Sequence, residues 1–277
     1  MMRSLWTAAS GMRAQQVNVD TIANNVANIN TIGYKSQQAS FKSLLYQNLQ
    51  STSTNNAGEN KPVAAEGGLG SRVAAITSTF TQGNLTHVEN PFSVALEGDG
   101  FFQIRTESGE LQYTRDGSFE ISPVANGNML CTSDGNPVLD AYGNQIILPS
   151  NRVATDLVVN QDGTLAFPDG TGNPAVITDA NGRPVKFGIY QFNNPAGLSK
   201  EGSNNYSVTV ASGAAVAENG NAAVKQTKTH QYYTEASNVD VANEMVNLIV
   251  AQRAYQLNSK AITTSDDMLE QANNLKR

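Results

Sequence analysis

Two histidines, His87 and His230, and one cysteine, Cys131, are the only imidazole and thiol groups in this 277-residue chain. A hydrolase of the Ser/His/Asp or Cys/His kind needs a nucleophile, a base and an acid that orients the base. His87, beside Thr86 and Glu89, is the one candidate base in the first two thirds of the chain, and no nucleophile motif accompanies it. Asp99, Asp116, Asp134 and Asp162 offer carboxylates for acid–base work or calcium. Each of them precedes a glycine, however, and no Asp-x-Asp-x-Asp-Gly loop surrounds them, so they read as turn residues. Gly98-Asp99-Gly100 lacks the Gly-x-Gly-x-x-Gly arrangement that cradles phosphate. One thiol excludes an internal disulfide, and one thiol with two imidazoles excludes zinc sites of the usual Cys/His kind. Cys131, between Leu130 and Thr132, reads as a small buried apolar residue. No catalytic residue, cofactor site or metal site is therefore assigned. Counting acids still leaves a carboxylate-pair glycosidase open, so a glycan-hydrolysing or glycan-binding β domain stands as the competing class.

The balance of charge narrows the partners. With 18 Lys+Arg against 24 Asp+Glu the net charge is -6, and no dense basic cluster supplies a footprint for phosphate, so no nucleic acid is expected. No run of 18 apolar residues exists, so no membrane insertion is expected either. Met1 to Met12 lacks an apolar core ending in a small-residue cleavage site, and a conventional secretory signal is not expected.

The elements that must carry any function differ between the ends and the middle. Leu5, Ala8, Met12, Gln15, Val19, Ile22, Val26 and Ile29 recur in alternating steps of three and four, the seam of one helix with its stop at Asn30 to Gly33. A second long helix starts after Ser237-Asn238, with Asp240 as cap or first-turn acid. It carries two apolar stripes. One runs through Met245, Leu248, Tyr255, Ile262 and Leu269; the other through Val250, Ala254, Leu257, Ala261, Met268 and Leu275. Their five-residue offset sets them ~140° apart, so this helix expects at least two neighbours. Between the ends the period falls to two, as in Phe102 and Ile104 against Phe101 and Gln103. Pairs such as Asp134-Gly135 and Asn219-Gly220 punctuate the region, which reads as antiparallel β joined by short turns. Gln50 to Gly70, almost without large apolar residues, reads as a linker or extended excursion. The fold class is α+β. The helical ends fit either an intramolecular hairpin or packing between copies.

Ser4 to Met12 (SLWTAASGM), Ala23 to Lys35 (ANNVANINTIGYK), GDGFFQI at Gly98 to Ile104, YTRDGSF at Tyr113 to Phe119, and Ser237 to Leu275 together resemble the bacterial flagellar rod and hook proteins. Within that family the chain is most similar to the distal-rod members, by SLW at the start, LLYQ at Leu44 to Gln47 and a middle too short for the hook proteins' further domains. The resemblance implies a self-assembling helical tube that transmits torque and encloses an export channel. Terminal helices would form a coiled-coil-like inner layer, with the β domain outside. It divides the chain into 1–35 and 238–277 as the helical assembly domain, 36–75 and 211–237 as a connecting segment, and 76–210 as the outer domain. The implied partners are copies of the chain, other rod proteins and hook protein, the flagellar export apparatus, and ring proteins and peptidoglycan at the periphery. The implied place is the basal body outside the inner membrane, reached without a cleaved signal.

On this reading the subunit interface takes Leu5, Ala8, Met12, Val19, Ile22, Val26 and Ile29 from the first helix. The second contributes Met245, Leu248, Val250, Tyr255, Leu257, Ile262, Met268, Leu269 and Leu275. Asn24, Asn25 and Asn28, beside the seam, would bridge neighbouring helices through their amides. Gly11 either permits close helix approach or is tolerated near a frayed end. Phe41 to Leu45 (FKSLL) resembles the export-gate recognition motif of rod and hook substrates, with Phe41 and Leu45 as its contacts; local packing is the alternative. Val26→Asp puts a charge into the seam at a desolvation cost of several kcal/mol. The expected result is no assembled tubes in electron micrographs, with the β circular-dichroism signal retained.

Overall fold

The computed structural model describes residues 2–50, 65–124, 127–150, 152–168, 174–179, 182–220 and 224–275. The chain divides into two compact units, residues 1–27, 37–78 and 240–277 in the first and 28–36 with 79–239 in the second. Among the described residues no helix is long and apolar enough to cross a membrane.

The first unit holds both helices, α1 (Met2–Ala27) and α2 (Val241–Asn274). Asp240 is the N-cap of α2: its carboxylate accepts from the Ala242 N–H at 2.9 Å. The first helix ends at Ala27, so Asn28 and Ile29 lie in the turn beyond it, and Gly33 takes its positive φ of 69° in a later turn. The expected stop is thus real as a chain reversal, but the helix closes earlier. Beside the helices lie two antiparallel ribbons, β1 (Gln37–Ser43) with β4 (Ser71–Ser78), and β2 (Tyr46–Gln50) with β3 (Ala65–Gly68). The ends of the stretch read as a linker therefore lie in strands, Gln50 in β2 and Ala65–Gly68 in β3, which pair with each other; residues 51–64 are outside the described residues. β1 to β4 belong with the helices in the first unit.

The second unit is antiparallel β throughout its described strands. β5 (Leu85–His87), β6 (Val94–Glu97), β7 (Phe101–Arg105) and β8 (Leu111–Thr114) begin it. Its largest sheet has six strands in the order Ser199–Gly202, Asn205–Ser207, β8, β7, Ile189–Gln191, Val216–Ala217. β7 is buried on both faces, and its alternation sorts two cores. Phe102 and Ile104 enter one with Val94, Leu96, Phe119, Leu130 and Phe187. Phe101 enters the other with Tyr113, Phe192, Leu198 and Tyr206. Residues 211–237, read as connecting, carry three strands of this unit: Val216–Ala217 joins the large sheet, Lys228–Gln231 pairs with β6, and Tyr233–Glu235 pairs with β5. The partners of the last two are more than a hundred residues distant, so local composition does not announce them.

The turn aspartates do turn chemistry. Asp116 accepts from the Ser118 N–H and Asp162 from the Thr164 N–H and hydroxyl. Gly135 and Gly220 take positive φ as their dipeptides suggest, whereas Gly117 does not. A side chain on Gly117 would collide with the Val94 carbonyl, so glycine there serves close approach. Cys131 is buried and its thiol points to the Glu120 carbonyl oxygen at 3.5 Å.

Burial, reinforced by the neighbouring Tyr34 hydroxyl, pushes the Tyr206 phenol from 10.0 up to about 12. The unfolded chain gives up that proton first as pH rises, so this contribution to stability is intact below pH 10 and drains away between 10 and 12. Denaturant midpoints of the wild type should fall across that window more steeply than those of Tyr206→Phe.

Candidate assembly surface

The contacts between α1 and α2 run in reverse order: Ser4 Oγ lies 3.3 Å from Ser265 Oγ, Gly11 faces Asn258, and Asn25 reaches Glu244 at 3.1 Å. The helices are antiparallel. On each, these contact residues and their heptad mates form a row seven residues apart: Ser4, Gly11, Asn18 and Asn25 against Glu244, Ala251, Asn258 and Ser265. The row is small and polar. A Cβ on Gly11 would sit 2.9 Å from Asn258 Nδ2, so glycine here leaves room for the Asn258 amide against α1.

Asn25 is the polar centre of the row, 1% exposed. Its Oδ1 accepts from the Gln37 N–H at 2.8 Å and its Nδ2 donates to the Gln37 carbonyl at 2.8 Å and to Glu244 Oε1. One amide thereby serves both backbone groups where β1 begins and ties α1 to α2. Within the chain Asn25 thus bridges α1 to both α2 and the start of β1. Asn24 is exposed, and Asn28 lies in the turn after α1.

The apolar residues expected at the interface flank this row. Ala8 and Ile22 are buried, while Leu5, Met12, Val19, Val26, Leu248, Ile262 and Leu269 are half-buried, as is Ile29 beyond the helix. The large residues of the second α2 stripe stay in the open: Val250 is 61% exposed, Leu257 69%, and Met268 and Leu275 are exposed with them. Met245 and Tyr255, assigned to the first stripe, are exposed too. Val246 and Ile249, absent from both stripes, extend the outward apolar surface. Small and polar residues thus stand in the row between the helices with the first apolar stripe partly covered at its flank, and the large apolar residues of the second stripe are left for something else.

α1 also packs on β1 and β4. Trp6, Ala9, Arg13, Val17, Leu44 and Val73 line a groove of about 340 Å³ there. Phe41, beside a register shift of the β1–β4 ladder, and Leu45, in the link to β2, are both exposed. They stand on a ribbon and its connection rather than on an amphipathic helix. Tyr46, Leu49 and Ile76 are exposed on the same ribbons. None of the three was legible as a surface residue, because period-two strands of this composition do not say which face is wet.

His87, the one candidate base in the first two thirds of the chain, stacks on Tyr232 and meets Tyr233 edge-on, with no nucleophile motif beside it. Among the described residues no group of three or more His, Cys, Asp or Glu could hold a metal ion.

Residues 5–35 match the family model for flagella basal body rod protein, 95–167 that for the flagellar hook protein FlgE/F/G D1 domain, and 230–275 that for the flagellar basal body rod FlgEFG protein C-terminal. The chain is similar to the flagellar basal-body rod protein FlgG of Borreliella burgdorferi, 43% identical over 283 residues with all of both chains covered. It is similar likewise to FlgG of Bacillus subtilis, 36% identical, and to that organism's flagellar hook-basal body complex protein FlhP, 34% identical, again with all of each chain covered.

Asn25→Ala leaves the Gln37 N–H and carbonyl without their buried partner, at a cost of about 1 to 3 kcal/mol. Urea unfolding followed by the helical circular-dichroism signal should show that loss.

Proposed function

The chain belongs to the flagellar basal-body rod protein family and is a structural subunit of the rod, and from that premise we propose how it builds the distal rod. Copies pack through the outward apolar row of α2 and the half-buried flanks of α1. Together they make a helical tube whose terminal helices line the channel for exported chains and whose wall carries torque. The tube stands outside the inner membrane, joined to other rod proteins and hook protein, with ring proteins and peptidoglycan around it. Phe41 and Leu45 are the contacts through which the export apparatus recognises the chain. The role is structural rather than catalytic.

One observation carries the assembly reading: α2 spends small and polar residues on its own partner and leaves Val246, Val250, Leu257 and Met268 in water. Covering each of these side chains is worth roughly 1.5 to 3 kcal/mol, a strong drive toward neighbouring helices. Packing of that kind makes a coiled-coil-like layer of helices from several copies.

Leu257→Asp tests this on a residue that the isolated chain leaves exposed. The variant should match the wild type in thermal unfolding as a monomer and yield no rods in cells. Rods of normal number and length would overturn the reading.

A further inference from the structure

Four stretches that lie apart in the chain, around Lys35, Thr81 to Gly83, Arg115 and Glu235, meet at one buried point of the second unit. Lys35 Nζ donates to Glu235 Oε1 at 2.7 Å and to the Thr81 carbonyl at 2.9 Å. Arg115 Nη1 lies 3.4 Å from Glu235 Oε2, and its guanidinium sits 4.9 Å from the centre of the Phe101 ring. The Gly83 N–H donates to Glu235 Oε1 at 2.9 Å. Lys35, Arg115 and Glu235 are each 1% exposed. Burial pulls the Lys35 ammonium below its ordinary pKa while Glu235 pulls it back up.

The backbone around the cluster is stitched in the same place. The Gly33 N–H donates to the Glu235 carbonyl, Thr79 N–H to that of Ser36, and Ala236 N–H to that of Asn84. Asn238 accepts from the Ser36 N–H at 2.7 Å and donates to the Thr79 and Thr81 carbonyls at 2.9 and 3.2 Å. Residues 36, 79 and 239 are three of the points where the chain enters or leaves this unit, and all three adjoin the stitched segments.

One carboxylate here serves two cations and a backbone N–H. Either cation buried without it would face a large desolvation cost and the repulsion of the other. The arrangement is therefore all-or-none, and its anion comes 200 positions after Lys35. We propose that Lys35, Arg115 and Glu235 are positioning residues forming a closure lock, which holds 31–36, 79–84 and 235–238 in a single arrangement only once the C-terminal segment has joined. A chain that is incomplete, or still arriving from its N-terminus, keeps this junction open and is not competent to enter the rod. The step from lock to rod entry rests on the rod reading; the lock itself does not.

Hydrogen exchange on the full-length protein tests the lock. In Glu235→Gln the amides of Gly33, Thr79 and Gly83 should exchange at least about tenfold faster, while those of β7 keep their rates. Lys35→Met with Glu235→Gln restores the wild-type net charge of the cluster, so the double variant should recover most of the lost protection. Unchanged exchange in Glu235→Gln overturns the lock. So does an equal acceleration in β7, which would make the cluster a support of the whole β unit, and so does a double variant no better than the single one. If Glu235→Gln fails to fold, a folded and protected double variant supports the lock and an unfolded one overturns it. Counting rods in the same strains tests the link to assembly. Wild-type numbers with an open junction would overturn that link while leaving the rod reading in place.

Discussion

A 34-residue helix that packs one side on a 26-residue partner must leave its other sides to water or to other molecules. The first unit depends on how α2 divides those sides. The row facing α1 is Glu244, Ala251, Asn258 and Ser265, residues that gain little from leaving water but pack closely and hydrogen-bond across the seam. The outward row is Val246, Val250, Leu257 and Met268, which gain a great deal. An ordinary intramolecular hairpin would cover the outward row as well as the first stripe. A subunit of a tube has reason to leave that row open.

Polar contacts in such a seam set register more than they add stability. Apolar side chains slide past one another at small cost, whereas an amide that has satisfied both backbone groups of Gln37 and one carboxylate oxygen has one good position. Asn25 fixes where α1 stands against both α2 and the start of β1. The half-buried flanks, Leu5, Met12, Val19 and Val26, are then presented at defined heights along the helix.

In the second unit the buried strand β7 separates two aromatic cores, and the Lys35–Glu235–Arg115 cluster gathers the ends of the unit. Both arrangements rely on contacts between residues remote in sequence. The rod function asks the β unit for stiffness at the places where the chain enters and leaves it. A buried carboxylate shared by two cations meets that need better than exposed ion pairs, which are worth little in water.

Local order decided much of this in advance. Spacing of apolar residues marked both helices, alternation marked β7, and Asp-Gly and Asn-Gly pairs marked the turns, because each depends on a few neighbouring residues. The long motifs at both ends and in the middle carried the family. Tertiary structure alone decided the phase of the helix seam: a row of Ser, Gly, Asn and Ala has no hydropathy signal, and an apolar stripe shows only what must leave water, not what covers it. It alone placed Asn25 in the interior and gave residues 211–237 their strands, since the partners of a β-ladder are set by the fold and not by the segment itself. No local pattern marks Lys35, Arg115 and Glu235 for burial, and only the convergence of distant segments offsets the cost of burying them together.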